Sequence, residues 1–207
     1  MTLTMTRDHV GPSRRRLPIQ IANESKMIEA TISLLGEVEV TRITSRMIAE
    51  RSGTATNYIT RYFGGRDALL AATAEELGRR VATGMEAMNG RPDLAGPLEL
   101  LEAVIAMPEV GIWFSLFRYL SGRNLTDVPQ GDSKPPLVAA CEDVVARIFG
   151  IEGDDVQLWS NVFLTYIMGG LAFNPLLGTS NEEGEKVLAK LARIVELLRD
   201  NRISLDS

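Results

Sequence analysis

The 207-residue chain is 45% hydrophobic and 24% charged, which is the composition of an ordinary globular protein able to bury a core. A single cysteine, Cys141, excludes an internal disulfide, and with only one histidine, His9, a zinc site of the usual ligand types is excluded as well. The net charge of −5 is unevenly spread: ten Lys and Arg against six Asp and Glu through Arg66 give +4, whereas twelve against twenty-one beyond it give −9. A basic head on an acidic body suits a protein that offers one end to phosphate.

Residues Met1 to about Ile19 read as a polar arm ending in Arg14-Arg15-Arg16 and Pro18. The arm has no continuous apolar stretch of the kind that directs secretion, so a cytoplasmic protein is expected. Ala22 to Leu35 places Met27, Ile28, Thr31, Leu34 and Leu35 at the spacing of one helix face. Thr44 to Arg51 predicts a short helix with Met47 and Ile48 inward and Thr44 as N-cap. Ser52-Gly53-Thr54-Ala55 predicts a tight turn, with Gly53 left-handed. Thr56 to Phe63 predicts a second short helix, which Gly64-Gly65 breaks. Arg66 then opens a long helix through Leu69, Leu70, Thr73, Leu77 and Val81 to about Met88.

Further along, Pro97, Pro108 and Pro135-Pro136 each mark a helix start, because proline suits a first turn. Ser121 to Lys134 reads as a polar loop. Gly150 closes the helix containing Val138, Val145 and Ile148, and Asp154 or Asp155 begins the next. Val156 to Asn181 is uncharged, but its Gln157, Ser160, Asn161, Thr165, Asn174 and Pro175 would be costly in lipid, so it reads as buried in a core or interface rather than in a membrane. Asn181 to Arg199 predicts a last helix with a stripe of Leu188, Leu191, Val195 and Leu198. No segment alternates as a strand does, so the expected fold class is all-α.

A helix, a four-residue turn with glycine and a second short helix make a helix-turn-helix. In such a unit the first helix points its N-terminal amides at a phosphate, and the second lies in the major groove. The second helix offers Thr56, Asn57, Tyr58 and Arg61 outward while Ile59 and Phe63 are spaced to pack inward. Asparagine can pair bidentately with adenine, and threonine can meet a thymine methyl.

The ordered run from Met27 to Leu70 resembles the TetR family of transcriptional repressors. It includes Ile28-Glu29-Ala30, Ile43-Thr44, Ile48-Ala49-Glu50-Arg51-Ser52-Gly53 and Arg61-Tyr62-Phe63-Gly64-Gly65-Arg66-Asp67-Ala68-Leu69-Leu70. The resemblance implies a three-helix DNA-binding head over residues 20–66, after an arm over 1–19, and a ligand-binding and dimerisation body over 67–207, with about nine helices in all. It implies that Thr44, Tyr62 and Arg66 contact DNA phosphates, with Arg46 as a further candidate and Arg14, Arg15 and Arg16 following the backbone or entering the minor groove. Three positions depart from the family pattern. Thr60 replaces a phosphate-contacting tyrosine, Thr54-Ala55 replaces Val-Ser in the turn, and Glu39 replaces the glycine after the first helix.

The resemblance further implies that the last two long helices pair two subunits through a four-helix bundle, with Gly169-Gly170 allowing close approach and Leu188, Leu191, Val195 and Leu198 supplying apolar area. A sensing pocket among the middle helices would draw on Met107, Trp113, Phe114, Phe117, Trp159 and Phe163, with Arg118, Asn161 and Tyr166 as polar anchors. The expected partners are a double-stranded DNA operator, a small apolar or amphipathic inducer and a second copy of the chain, with no cofactor and no membrane. Adjacent acidic pairs such as Asp154-Asp155 and Glu182-Glu183 point about 100° apart on a helix and cannot share a metal. No phosphate loop or nucleophile triad appears, so enzyme activity is not expected. The alternative is a helical adaptor that keeps the head but binds a protein partner.

Overall fold

The computed structural model describes residues 18–88, 90–94, 97–123, 135–149, 151–162, 164–165 and 186. Among them every regular element is helical, which makes the fold all-α as the sequence implies. The helices are α1 (Pro18–Glu37), α2 (Ser45–Ser52), α3 (Asn57–Phe63), α4 (Arg66–Ala87), α5 (Pro97–Ile105), α6 (Pro108–Ser121) and α7 (Pro136–Phe149), with 3-10 turns at Val40–Arg42 and Pro92–Leu94. Residues 154–162 are also helical.

Helix α1 starts earlier than its apolar pattern, because Pro18 is accommodated in the first turn. It buries Met27, Ala30, Thr31 and Leu34, a stripe of one face. Thr31 is wholly buried, and its hydroxyl donates to the Met27 carbonyl at 2.7 Å, so no polar atom is stranded there. The helix ends without the family's glycine. The Val38 N–H donates to the Leu34 carbonyl at 2.9 Å, and Glu39 leaves at φ −59° and ψ 142°, which any residue adopts. The 3-10 turn that follows was not legible in the apolar pattern, since three residues are too few for a period to show.

Helix α4 organises the molecule. Its Leu69 joins Met27, Ala30, Leu34, Ile43, Ile48 and Ile59 in the core of the head. Leu70 and Leu77, on a neighbouring face, pack with Leu116 and Leu120 of α6 at the junction. Val81, Ala82 and Met85 then enter the body core with Leu100, Val104, Val110 and the α7 residues Ala140, Cys141, Val144 and Val145. One 22-residue helix thus contributes to three apolar clusters, which makes head and body mechanically continuous. Helix α6 packs along α4 and also reaches α1 and the 3-10 turn at Val40–Arg42.

The prolines at 97, 108 and 136 stand at the starts of α5, α6 and α7 as anticipated. Ser121, expected in a loop, is the last residue of α6. Arg14, Arg15, Arg16, Phe163, Tyr166, Gly169, Gly170, Leu188, Leu191, Val195 and Leu198 lie outside the described residues.

Candidate nucleic-acid interface

The head builds its outer surface from α2, α3 and the turn between them. Helix α2 is capped by Thr44, whose hydroxyl oxygen accepts the Met47 N–H at 3.2 Å. That bond satisfies one of the amides a helix start leaves open. Thr44 itself is exposed. Ile48 and Ala49 anchor the opposite side of α2 in the core. The helix stops at Gly53, which takes the left-handed conformation at φ 66° and donates to the Ala49 carbonyl. Thr54, which stands where the family has valine, shares a 2.7 Å hydrogen bond with the Ser52 hydroxyl. Its polar group is therefore satisfied. Ala55 supplies no hydroxyl, and α3 begins at Asn57 with no side-chain cap on its first turn.

Helix α3 is held by Ile59, which is 1% exposed. Thr56, Asn57, Thr60 and Arg61 are all exposed. Positions 57, 60 and 61 are three and four apart and so share one face of the helix. Tyr58 differs from expectation: its ring is half-buried and packs on the head core. It stacks on Tyr62 with centroids 5.1 Å apart. The reason is spacing, since residues 58 and 62 lie one turn apart on the flank between the buried and outward faces. Tyr62 is likewise half-buried, and the Arg61 guanidinium lies 5.9 Å from its ring centroid. Thr60, in place of the family's tyrosine, sits in the middle of the outward face.

Among the arginines, Arg46 is exposed and pairs with Glu50 one turn along α2 at 2.7 Å. Arg51 does not face outward from the head. It makes a two-pronged bond to Glu37 of α1, at 2.6 and 2.7 Å, and also donates to Ser33. That fork locks α2 to α1. Arg66 is mostly buried and donates to the Ile43 and Val40 carbonyls, to Asp67 and to Tyr119, an arrangement that no spacing rule could have revealed.

In the body, the expected aromatic residues divide. Phe114 is 8% exposed and belongs to the interior. Trp113 and Phe117 are half-buried and stack at 5.1 Å. Trp113 lies against Gly78 of α4, where an added side chain would touch its ring nitrogen and Leu137 of α7. Met107 and Trp159 pack on the body core. Arg118 and Asn161 are exposed. Leu158 and Val162, one turn apart, are 59% and 50% exposed. No group of three or more His, Cys, Asp or Glu among the described residues could hold a metal. No described helix is long and apolar enough to cross a membrane.

Among the described residues, three helices pack as a compact head with the short α3 facing outward, the arrangement of a helix-turn-helix, and the remaining elements are helical too. Residues 27–73 match the family model described as bacterial regulatory proteins, tetR family. The whole fold is similar to a TetR transcriptional regulator from a Rhodococcus species, at 20% identity and a TM-score of 0.58, over 86% of this chain and 97% of that one. It is similar to the multidrug-binding protein EbrR, solved with imidazole, at 18% identity and a TM-score of 0.56, over 88% and 97%. It is also similar to the TetR-family repressor AlkX from a Dietzia species, implicated in n-alkane biodegradation, at 15% identity and a TM-score of 0.55, over 89% and 99%. Among proteins of curated function, none matches the sequence.

Proposed function

We propose that this protein is a ligand-responsive transcriptional regulator, a repressor that leaves a palindromic operator when a small apolar or amphipathic inducer binds. The observation that carries the reading is the outward face of α3, where Thr56, Asn57, Thr60 and Arg61 stand exposed while Ile59 holds the helix down. Those side chains are short or forked polar groups suited to base edges and phosphates. Thr44, Arg46 and Tyr62 flank them as backbone contacts, and Arg14, Arg15 and Arg16 extend the positive charge from the arm. Tyr58 takes part through its hydroxyl edge only.

Residues 20–66 form the DNA-binding head in this reading, and 67–207 form the sensing and pairing body. A second copy of the chain supplies a second head, since helix-turn-helix half-sites are read in pairs about one helical turn apart. The stripe Leu188, Leu191, Val195 and Leu198, with Gly169 and Gly170, provides the pairing surface. The apolar character assigned to the inducer follows from Trp113, Phe114, Phe117, Met107 and Trp159, with Phe163 and Tyr166 beside them in sequence order. A multidrug-binding protein and an alkane-linked repressor among the similar folds agree in chemistry with that choice. Arg118 and Asn161, being exposed, serve as anchors only at a pocket mouth.

Selection of bound duplexes from a random pool tests the reading. A palindromic winner, with affinity falling steeply as salt rises, is the expected result. A shallow salt response without sequence preference would point instead to an adaptor that binds a protein through this head.

A further inference from the structure

Arg66 is the first residue of α4, where the family resemblance places a phosphate contact. Its surroundings assign it other work. Its side chain is 21% exposed. Nε donates to the Ile43 carbonyl at 2.6 Å and Nη2 to the Val40 carbonyl at 2.6 Å. Nη1 donates to Asp67 and to the Tyr119 hydroxyl, each at 2.9 Å. An arginine has five N–H donors, and these bonds engage all but one.

The partners come from three parts of the chain. Val40 and Ile43 belong to the link between α1 and α2, Asp67 to α4, and Tyr119 to α6. Arg123, just past α6, closes the group from the other side. It donates to the same Tyr119 hydroxyl at 3.0 Å and lies 3.6 Å from the Asp67 carboxylate. Both guanidinium groups flank the Tyr119 ring, at 5.6 and 5.4 Å from its centroid. Below them lies the apolar junction of Leu70, Leu77, Leu116 and Leu120.

We propose that Arg66 is a positioning residue, a tether by which Tyr119 of the body sets the 40–43 link and hence the start of α2. Turning Arg66 out to a phosphate would strip charge-assisted bonds from two carbonyls, of which Ile43 belongs to a residue 1% exposed. Thr44, the cap of α2, is the next residue along. A shift of α6 at Tyr119 is therefore delivered to the start of α2, which with α3 forms the outer surface of the head. This gives the body a contiguous physical route to the head, as coupling between sites requires. What the tether regulates rests on the DNA-binding reading; the tether itself does not.

Hydrogen exchange on the full-length chain decides the matter without DNA. Tyr119→Phe keeps the ring and removes only the bridging hydroxyl. It is expected to speed exchange of the Ile43 and Ile48 amides about threefold to tenfold, the net scale of one hydrogen bond. Arg66→Lys keeps the charge but loses the fork. It is expected to speed the same amides at least as much, and the double variant no further than Arg66→Lys alone. Unchanged exchange in Tyr119→Phe, or simple multiplication of the two effects, overturns the tether. A second arm measures binding to duplex DNA against salt. Arg66→Gln should leave the slope of log affinity on log salt as in the wild type, whereas a loss of about one unit would make Arg66 a phosphate contact and overturn the proposal. If the wild type binds no duplex, the regulator reading falls while the exchange result still judges the tether.

Discussion

Single side chains in the head have separable duties. Asn57 is exposed and Ile59 beside it is buried, so the first is free to recognise and the second is not. Asn57→Ala is expected to relax base preference at one operator position by about 1–3 kcal/mol while leaving the melting temperature unchanged. Competition binding with operators varied at each position checks this. Gly53 is constrained by conformation rather than space, since its φ is 66° and nothing lies within 4 Å of an added Cβ. Gly53→Ala should therefore cost about 1 kcal/mol of stability by denaturant titration, through strain alone. Cys141 is 3% exposed, and burial pushes its thiol up to about 12. The nucleophilic thiolate is then scarce at neutral pH. A thiol reagent should label the native protein far more slowly than the denatured one; equal rates would place Cys141 outside the core.

At the scale of elements, α3 has one fully buried anchor and α2 a clamp. Ile59→Ala removes a side chain that is 1% exposed and is expected to cost about 2–4 kcal/mol, with loss of the head's cooperative unfolding in calorimetry. The clamp is the Arg51–Glu37 pair. The hydrogen bond from Arg51 holds the Glu37 carboxyl below its ordinary value of 4.5. A depressed folded value means that the pair stabilises above the unfolded value and that this contribution disappears as pH falls through the folded one. The pair is exposed, so its effect is small. Melting curves of wild type and Glu37→Gln should differ at neutral pH, begin to approach each other near pH 4.5 and converge only below the folded value. A gap that persists in acid would mean that the clamp acts through packing instead.

In the whole molecule, the long helix α4 passes from the head core through the junction to the body core. A body that changes shape cannot leave the head untouched when they share such a helix. Under the proposed function, inducer binding weakens operator binding by the same factor that operator binding weakens inducer binding. Titrating inducer against free and operator-bound protein by calorimetry checks this reciprocity. Equal inducer affinity in the two states would remove ligand control from the reading. The exposed apolar pair Leu158 and Val162 is consistent with further surface being covered in the body.

Much of this architecture was legible from residue order alone. Helical stripes such as Met27, Thr31 and Leu34 announce themselves because burial repeats with the turn of the helix. Prolines 97, 108 and 136 and Gly53 mark starts and stops through backbone geometry that is local to each residue. The outward placement of Asn57 and Arg61 followed from the same periodicity. What escaped were facts that depend on distant neighbours. Tyr58 turned inward to stack on Tyr62 against the head core, and Thr54 found the Ser52 hydroxyl. Arg66 bonds the carbonyls at positions 40 and 43 and a tyrosine 53 residues away, partners that no local pattern names. Periodicity and capping are written in short stretches of chain. The partner of a buried cation is chosen only when folding brings separate stretches together, because a desolvated guanidinium must satisfy its donors with whatever oxygens the tertiary packing supplies.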